Sequence, residues 1–308
     1  MGCHGHRIPG VGGPYTLSMA PTRLVIHVDD IGMCHGTTTA FAATAEAGAV
    51  TCGSVMVPCP WSSEALELAA AQPELDVGVH LTLNAEHRHY RWAPMSRAPR
   101  LSGLVDHSGA MWRSVVDLRG NADPDAVMDE WRTQVDRALS AGVDVTHLDS
   151  HMGSAMAPEW AERYVALGVE YGLPVVLPAT IAGYGIARHL PDVTEDDLAP
   201  VLVAAREAGM PVFDRIIESD FSRPAGVPLD LVARLRSAVA GGGLIYLALH
   251  PCHPGEIEAI DPARPHVRTD EADALESVAW RAALDDLVAA GEVELVGMRQ
   301  LRDGLGGA

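Results

Sequence analysis

Leu24-Val25-Ile26-His27-Val28-Asp29-Asp30-Ile31-Gly32 opens the repeating pattern of this 308-residue chain. Its start, Leu24 to Val28, is an almost unbroken apolar, β-branched run, the composition of a strand buried on both faces, as in parallel sheets covered by helices. Two carboxylates and a glycine end it, and helical spacing follows over Thr38–Ala47. Strand then helix, repeated, predicts a mostly parallel sheet.

Working outward, similar runs occur at Val50–Val57, Val77–Leu83, Val143–Leu148, Pro174–Leu177, Val212–Ile217, Leu244–Leu249 and Val293–Val296. Helical patterns lie between them at Ser62–Ala71, Asp125–Ser140, Pro158–Tyr171, Asp197–Ala208, Asp230–Val239 and Glu271–Ala290. In Asp125–Ser140, Val127, Trp131, Val135 and Leu139 recur along one face. Seven or eight parallel strands suit a closed (β/α) barrel better than an open doubly wound sheet, and the first strand lacks the Gly-x-Gly-x-x-Gly turn of dinucleotide binding. The expectation is a flexible extension over residues 1–21 and one TIM-barrel-like domain over 22–308. A long insertion at about 86–122, carrying Tyr90, Trp92 and Trp112, reads as a lid or substrate loop, or else as a surface excursion with its own small cluster.

Acidic residues outnumber basic ones by 41 to 22, giving a net charge of −19. That field repels phosphate backbones and anionic lipid surfaces, so neither nucleic acid nor membrane is an expected partner. No run approaches the roughly 20 apolar residues of a membrane span. The first residues lack the apolar core of a secretory signal, which points to the cytoplasm. The five cysteines, Cys3, Cys34, Cys52, Cys59 and Cys252, show no CxxC spacing and read as reduced thiols. The sequence leaves room for a homo-oligomer.

The chemistry gathers at strand ends. Burying the adjacent acids Asp29 and Asp30 is costly unless they share a cation or a proton, although alone they could be turn or capping acids. His80 in the third predicted strand could be a satisfied core residue. Thr146-His147-Leu148-Asp149-Ser150-His151 is a stronger signal, placing two imidazoles and a carboxylate within five residues. On a strand, His147, Asp149 and His151 share one side, and on a helical turn the i, i+4 spacing also brings the two histidines together, so they converge either way. His250 closes the seventh run before Pro251, and His253 follows in the turn. A parallel barrel opens all its C-terminal strand ends onto one face, so Asp29, Asp30, His80, His147 and His250 converge there around a metal. Imidazole with carboxylate suits zinc and its first-row neighbours, whereas magnesium prefers oxygen.

The pieces His27-Val28-Asp29-Asp30-Ile31-Gly32, Gly78-Val79-His80-Leu81-Thr82-Leu83, Thr146 to His151 and Leu249-His250-Pro251, taken in order, resemble the YdjC-like carbohydrate deacetylases, relatives of the NodB-type polysaccharide deacetylases. Arg268-Thr269-Asp270 and Val296 to Arg302 resemble the family's closing pieces. The resemblance implies an irregular (β/α) barrel and one divalent metal ion, magnesium or zinc, held by Asp30, His80 and His147. It further implies Asp29 as general base and His250 as general acid, with His253 able to align in its place. Asp149 and His151 would be additional site residues, and Arg91-Trp92 a piece of the substrate loop. The implied substrate is an N-acetylated sugar or oligosaccharide. Hydrolysis of another amide or an ester on the same barrel is one alternative, and a non-catalytic metal- or sugar-binding protein is another.

Overall fold

The computed structural model describes residues 20–97 and 99–305, so the expected extension lies outside the described residues except for its last two. Among the described residues, seven strands form one parallel sheet: β1 Thr22–Ile31, β2 Cys52–Val55, β3 Val77–Leu81, β4 Val145–Ser150, β5 Arg215–Glu218, β6 Leu244–Leu249 and β7 Val293–Leu295. The helices are α1 His35–Glu46, α2 Ser62–Ala71, α3 Val115–Arg119, α4 Pro124–Ser140, α5 Ala161–Tyr171, α6 Glu195–Glu207, α7 Leu231–Val239, α8 Ile257–Ile260, α9 Pro265–Leu275, α10 Val278–Ala289 and α11 Met298–Asp303. Sheet order is β4-β3-β2-β1-β6-β5, with β7 wedged against the first residues of β1.

The opening stretch is central because it is buried on both sides. Leu24 and Ile26 pack outward beside Leu247 of β6 against Leu235 and Trp280 of the helical layer. Val25, one residue out of phase, faces Cys52, Val176, Phe213 and Tyr246 in the barrel interior. This two-residue alternation, buried on both faces, explains the unbroken apolar run.

The expected strand at Pro174–Leu177 appears as a bridged segment rather than a full strand. Leu148 N–H donates to Pro174 O and Val176 N–H to Leu148 O, both at 3.0 Å, while Phe213 N–H donates to Leu177 O at 2.9 Å. Residues 174–178 thus link β4 to the start of β5 and join the sheet's two edges into an irregular barrel. Pro174 and Pro178 have no N–H to give, which keeps the ladder short. The long helix expected over Glu271–Ala290 is two helices instead. Ser277 interrupts it, its hydroxyl accepting from Trp280 N–H as the N-cap of α10.

Between Leu83 and α4, the insertion packs onto the barrel. Trp112 Nε1 donates to Gly103 O, and Arg113 donates to the carbonyls of Glu86, His87 and Arg88. No helix among the described residues is long and apolar enough to cross a membrane.

Gly78 makes room inside the barrel. A Cβ there would lie 2.6 Å from the His147 ring and 2.6 Å from the His147 carbonyl oxygen. Backbone cannot yield as a flexible side chain can, so Gly78→Ala is expected to destabilise the fold by about 1–3 kcal/mol. Thermal denaturation should show a lower midpoint; an unchanged one would mean that β3 and β4 can separate freely.

Candidate active site

Adjacent side chains on a strand point to opposite faces, yet Asp29 and Asp30 both line one pocket. The pairing of β1 with β2 shifts register between Val28 and Ile31, and Asp30 takes a positive φ of 62°. This bulge re-aims Asp30 toward the same cavity as Asp29, in a backbone region that aspartate tolerates better than most side chains. Gly32, at φ 80°, then turns the chain into α1.

Asp30 is the hub. Its Oδ1 lies 3.3 Å from His80 Nε2 and 3.2 Å from His151 Nδ1, and its Oδ2 accepts from Arg268 Nη2 at 2.6 Å. Each imidazole is held from behind by a carboxylate. His80 Nδ1 meets Asp149 Oδ2 at 2.8 Å, and His151 Nε2 meets Glu86 Oε2 at 2.9 Å. Burial favours neutral Asp30, but Arg268 and the two histidines outweigh it and hold the carboxyl well below its usual range. Burial likewise opposes charge on His151, yet Glu86 and Asp30 lift it to about 9.

This donor set fits a divalent cation. One carboxylate oxygen and two imidazole nitrogens separated by about 3.2–3.3 Å match ligands that each stand about 2.0–2.2 Å from one ion. A carboxylate behind each histidine is the outer support that metal-bound imidazoles commonly have.

Asp29 is also buried. Its Oδ1 lies 2.6 Å from His27 Nδ1, and its Oδ2 lies 3.6 Å from His250 Nε2. Burial, reinforced by Asp149 and Asp30, pushes its carboxyl well above the usual range despite the opposing effect of His80. His250 Nδ1 meets Ser219 Oγ at 2.8 Å, and that hydroxyl donates to Glu271 Oε2 at 2.8 Å. Nε2 of His250 therefore faces Asp29, and burial keeps the ring neutral.

Several expected site residues lie elsewhere in the structure than the sequence reading put them. His147 does not join Asp30 and His80; it lies deeper in the barrel, with Nε2 2.9 Å from His27 Nε2. His151, one step past the end of β4, stands where His147 was expected. His147 and Asp149 do share the strand's inner side, but the helical turn His151–Met156, with Met152 at φ 52°, takes His151 off that pleat. His253 is outside the pocket, held between Thr39 Oγ1 at 2.8 Å and Glu276 Oε1 at 2.7 Å. Arg91 is an internal strut of the insertion, donating to Asp106 Oδ2 at 2.9 Å. Trp92 is only 4% exposed and packs among Met33, Met56 and Met111 behind His151.

Other lining residues were not singled out from sequence: Glu86, Arg188, His189, Glu218, Phe221 and Arg268. Arg268 lay within a quoted C-terminal piece, the one signal that could have marked it. Glu86 opens the insertion and gave none. Phe221 stands edge-on to His250, ring centroids 4.9 Å apart, and is the aromatic wall that Tyr90, Trp92 and Trp112 do not provide.

A family described as YdjC-like protein matches residues 23–286. A carbohydrate deacetylase of Thermoanaerobacter pseudethanolicus is 29% identical over 49% of this chain and 59% of its own length. One of Thermus thermophilus is 32% identical over 53% of this chain and 56% of its own length. The chain thus spans less than two thirds of these curated relatives. In fold it is similar to a crystal structure from Enterococcus faecalis whose name links it to cellobiose-phosphate cleavage, with a TM-score of 0.72 at 22% identity over 92% of this chain and 99% of that one.

Proposed function

This chain belongs to the YdjC-like protein family, and from that premise we propose that it is a metal-dependent hydrolase that removes the acetyl group from an N-acetylated sugar or oligosaccharide. The observation that carries the reading is Asp30 Oδ1 set between His80 Nε2 and His151 Nδ1, with Asp29 and His250 facing each other beside it. Asp30, His80 and His151 are the proposed ligands, and zinc is the proposed ion because two of the three donors are imidazoles. Asp30, His80 and His151 would hold a divalent ion, which would supply Lewis acidity to polarise the acetyl carbonyl and ease deprotonation of water.

The chain's own groups do the rest. A cation held by Asp30, His80 and His151 would counter the burial that raises Asp29, so that Asp29 would be ionised and able to receive the proton of the attacking water. Asp29 Oδ2, 3.6 Å from His250 Nε2, passes that proton to His250, which gives it to the departing amine; Ser219 and Glu271 fix the ring so that Nε2 points inward. Proton transfer by positioned groups is worth typically about 10²–10⁴ in rate. Phe221 offers an apolar surface for a sugar ring, and the carboxylates and guanidinium groups around it offer partners for hydroxyls. The paired donors of this pocket make a purely binding role the weaker reading. The unpaired thiols Cys34, Cys52, Cys59 and Cys252 support a reducing, cytoplasmic setting.

The test is product identity. Incubated with N-acetylated mono- and oligosaccharides, the zinc-loaded protein is expected to release free acetate and to lose that activity to a chelator. Acetamides left intact with new reducing ends would indicate glycoside cleavage instead. No acetate from a broad panel would turn the reading toward another amide or an ester.

A further inference from the structure

Cys34 and Cys252 form a thiol pair that the reaction above does not use. Their Sγ atoms lie 3.7 Å apart, in contact, although 218 positions separate them in the sequence. Both are fully buried, in the sulfur-rich cluster of Met33, Met56, Cys59 and Met111 that also holds Trp92 behind His151. Each stands on a turn that leaves a barrel strand, Cys34 four residues after Asp30 and Cys252 two after His250. Gly36 lets the two turns meet, since a Cβ there would lie 2.8 Å from Cys252 Sγ and 2.5 Å from the His253 carbonyl oxygen. Across the same gap, His253 N–H donates to Gly36 O at 3.0 Å. The two thiols are not equivalent. Cys34 is the N-cap of α1, and the S–H of Cys252, which can also turn to His253 O at 3.3 Å, holds it down to about 7 with help from the Thr37 backbone and against burial. Burial pushes Cys52 and Cys59 well above the usual thiol range. The thiolate is the nucleophile in thiol oxidation, so Cys34 is the sulfur that reacts first, with Cys252 beside it to resolve the product.

We propose that Cys34 and Cys252 are a modification site, a dithiol that hydrogen peroxide closes into a disulfide, and that closure slows the hydrolase by drawing the turn after Asp30 toward the turn after His250. The effect on rate rests on the roles proposed above for Asp29, Asp30 and His250; the disulfide does not. First the Cys34 thiolate attacks one peroxide oxygen, an S–O bond forms, the O–O bond breaks and hydroxide leaves, taking up the proton that Cys34 had shed. The Cys252 thiol then attacks the Cys34 sulfenic acid. An S–S bond forms, the S–O bond breaks, and the hydroxyl departs as water with the Cys252 proton. Together the thiols lose two electrons and two protons, and one peroxide becomes two waters. Peroxide is little larger than water, and the covering turn, residues 251–256, belongs to no strand or helix, so a small local opening admits it. A disulfide holds its sulfurs at about 2.05 Å, which closes about 1.7 Å of the present gap. Arg268 feels the same pull, because its carbonyl accepts from Cys252 N–H at 3.2 Å while its guanidinium grips Asp30 Oδ2.

The full chain, loaded with zinc, is treated with hydrogen peroxide and then with dithiothreitol. Peptide mass spectrometry after peroxide should find the Cys34 peptide joined to the Cys252 peptide, lighter than the two free thiol peptides by the hydrogens lost. Misplacing reacting groups slightly can cost up to about 100-fold, so kcat for acetate release is expected to fall about 10- to 100-fold and to recover on reduction. Cys34→Ala and Cys252→Ala should each keep the unoxidised rate and lose the response to peroxide, and Cys34→Ser and Cys252→Ser repeat the comparison at nearly constant volume. Cys59→Ala, which leaves the pair intact, should stay responsive. Absence of the joined peptide after peroxide overturns the site. A mapped Cys34–Cys252 disulfide with unaltered kcat, or a peroxide response that persists in the Cys34 and Cys252 variants, overturns the control of rate. Mapping needs no substrate, so it decides the disulfide separately from the deacetylase reading.

Discussion

His151→Ala is expected to lose the divalent ion and with it all measurable hydrolysis, while His147→Ala retains the ion. The contrast follows from position. His151 Nδ1 and His80 Nε2 both approach Asp30 Oδ1, whereas both nitrogens of His147 are engaged with Thr146 and His27. Even outer-shell partners of a metal-bound histidine are worth about 10–100-fold in affinity, so removing an inner ligand should cost at least about 100-fold. Zinc content by atomic spectroscopy, beside circular dichroism to establish folding, is the measurement. Stoichiometric zinc in folded His151→Ala would exclude His151 as a ligand. Loss of zinc in folded His147→Ala would return that residue to the ligand set.

For the acid pair Asp29 and Asp30 the expected result is a split between chemistry and binding. Asp29→Asn should keep the metal and lose turnover by about 10²–10⁴, because an amide cannot take a proton from water. Asp30→Asn should weaken metal binding itself, since it removes the charge at the centre of the donor set and leaves the Arg268 guanidinium, only 4% exposed, without its carboxylate. Zinc titration alongside acetate release distinguishes the two. Equal losses of affinity in both variants would mean that the two carboxylates share one role.

The residues that moved between expectation and structure show where sequence reading stops. Asp29, Asp30, His80 and His250 were legible because each ends a strand run, and the parallel arrangement brings such ends to one face. His151 was read as converging with His147 whether on a strand or on a helical turn, but the chain stays extended through Ser150 and turns only from His151, which separates the two. Trp92 and Arg91 looked like substrate-loop residues because they sit in a long insertion. Composition does not reveal that the insertion folds inward and spends these side chains on its own packing.

By itself, the sequence determined the strand-helix alternation, the barrel class and the clustering of acids and imidazoles at strand ends, since periodicity and strand polarity are local properties of the chain. Tertiary structure alone decided which histidine meets Asp30, how a bulge turns two consecutive carboxylates into one pocket, and which groups stand behind them. These depend on register and on contacts between distant positions, such as Arg268 with Asp30, 238 residues apart, or Glu86 with His151, 65 apart. Such contacts are set by the packing of the whole barrel, and no local pattern encodes them.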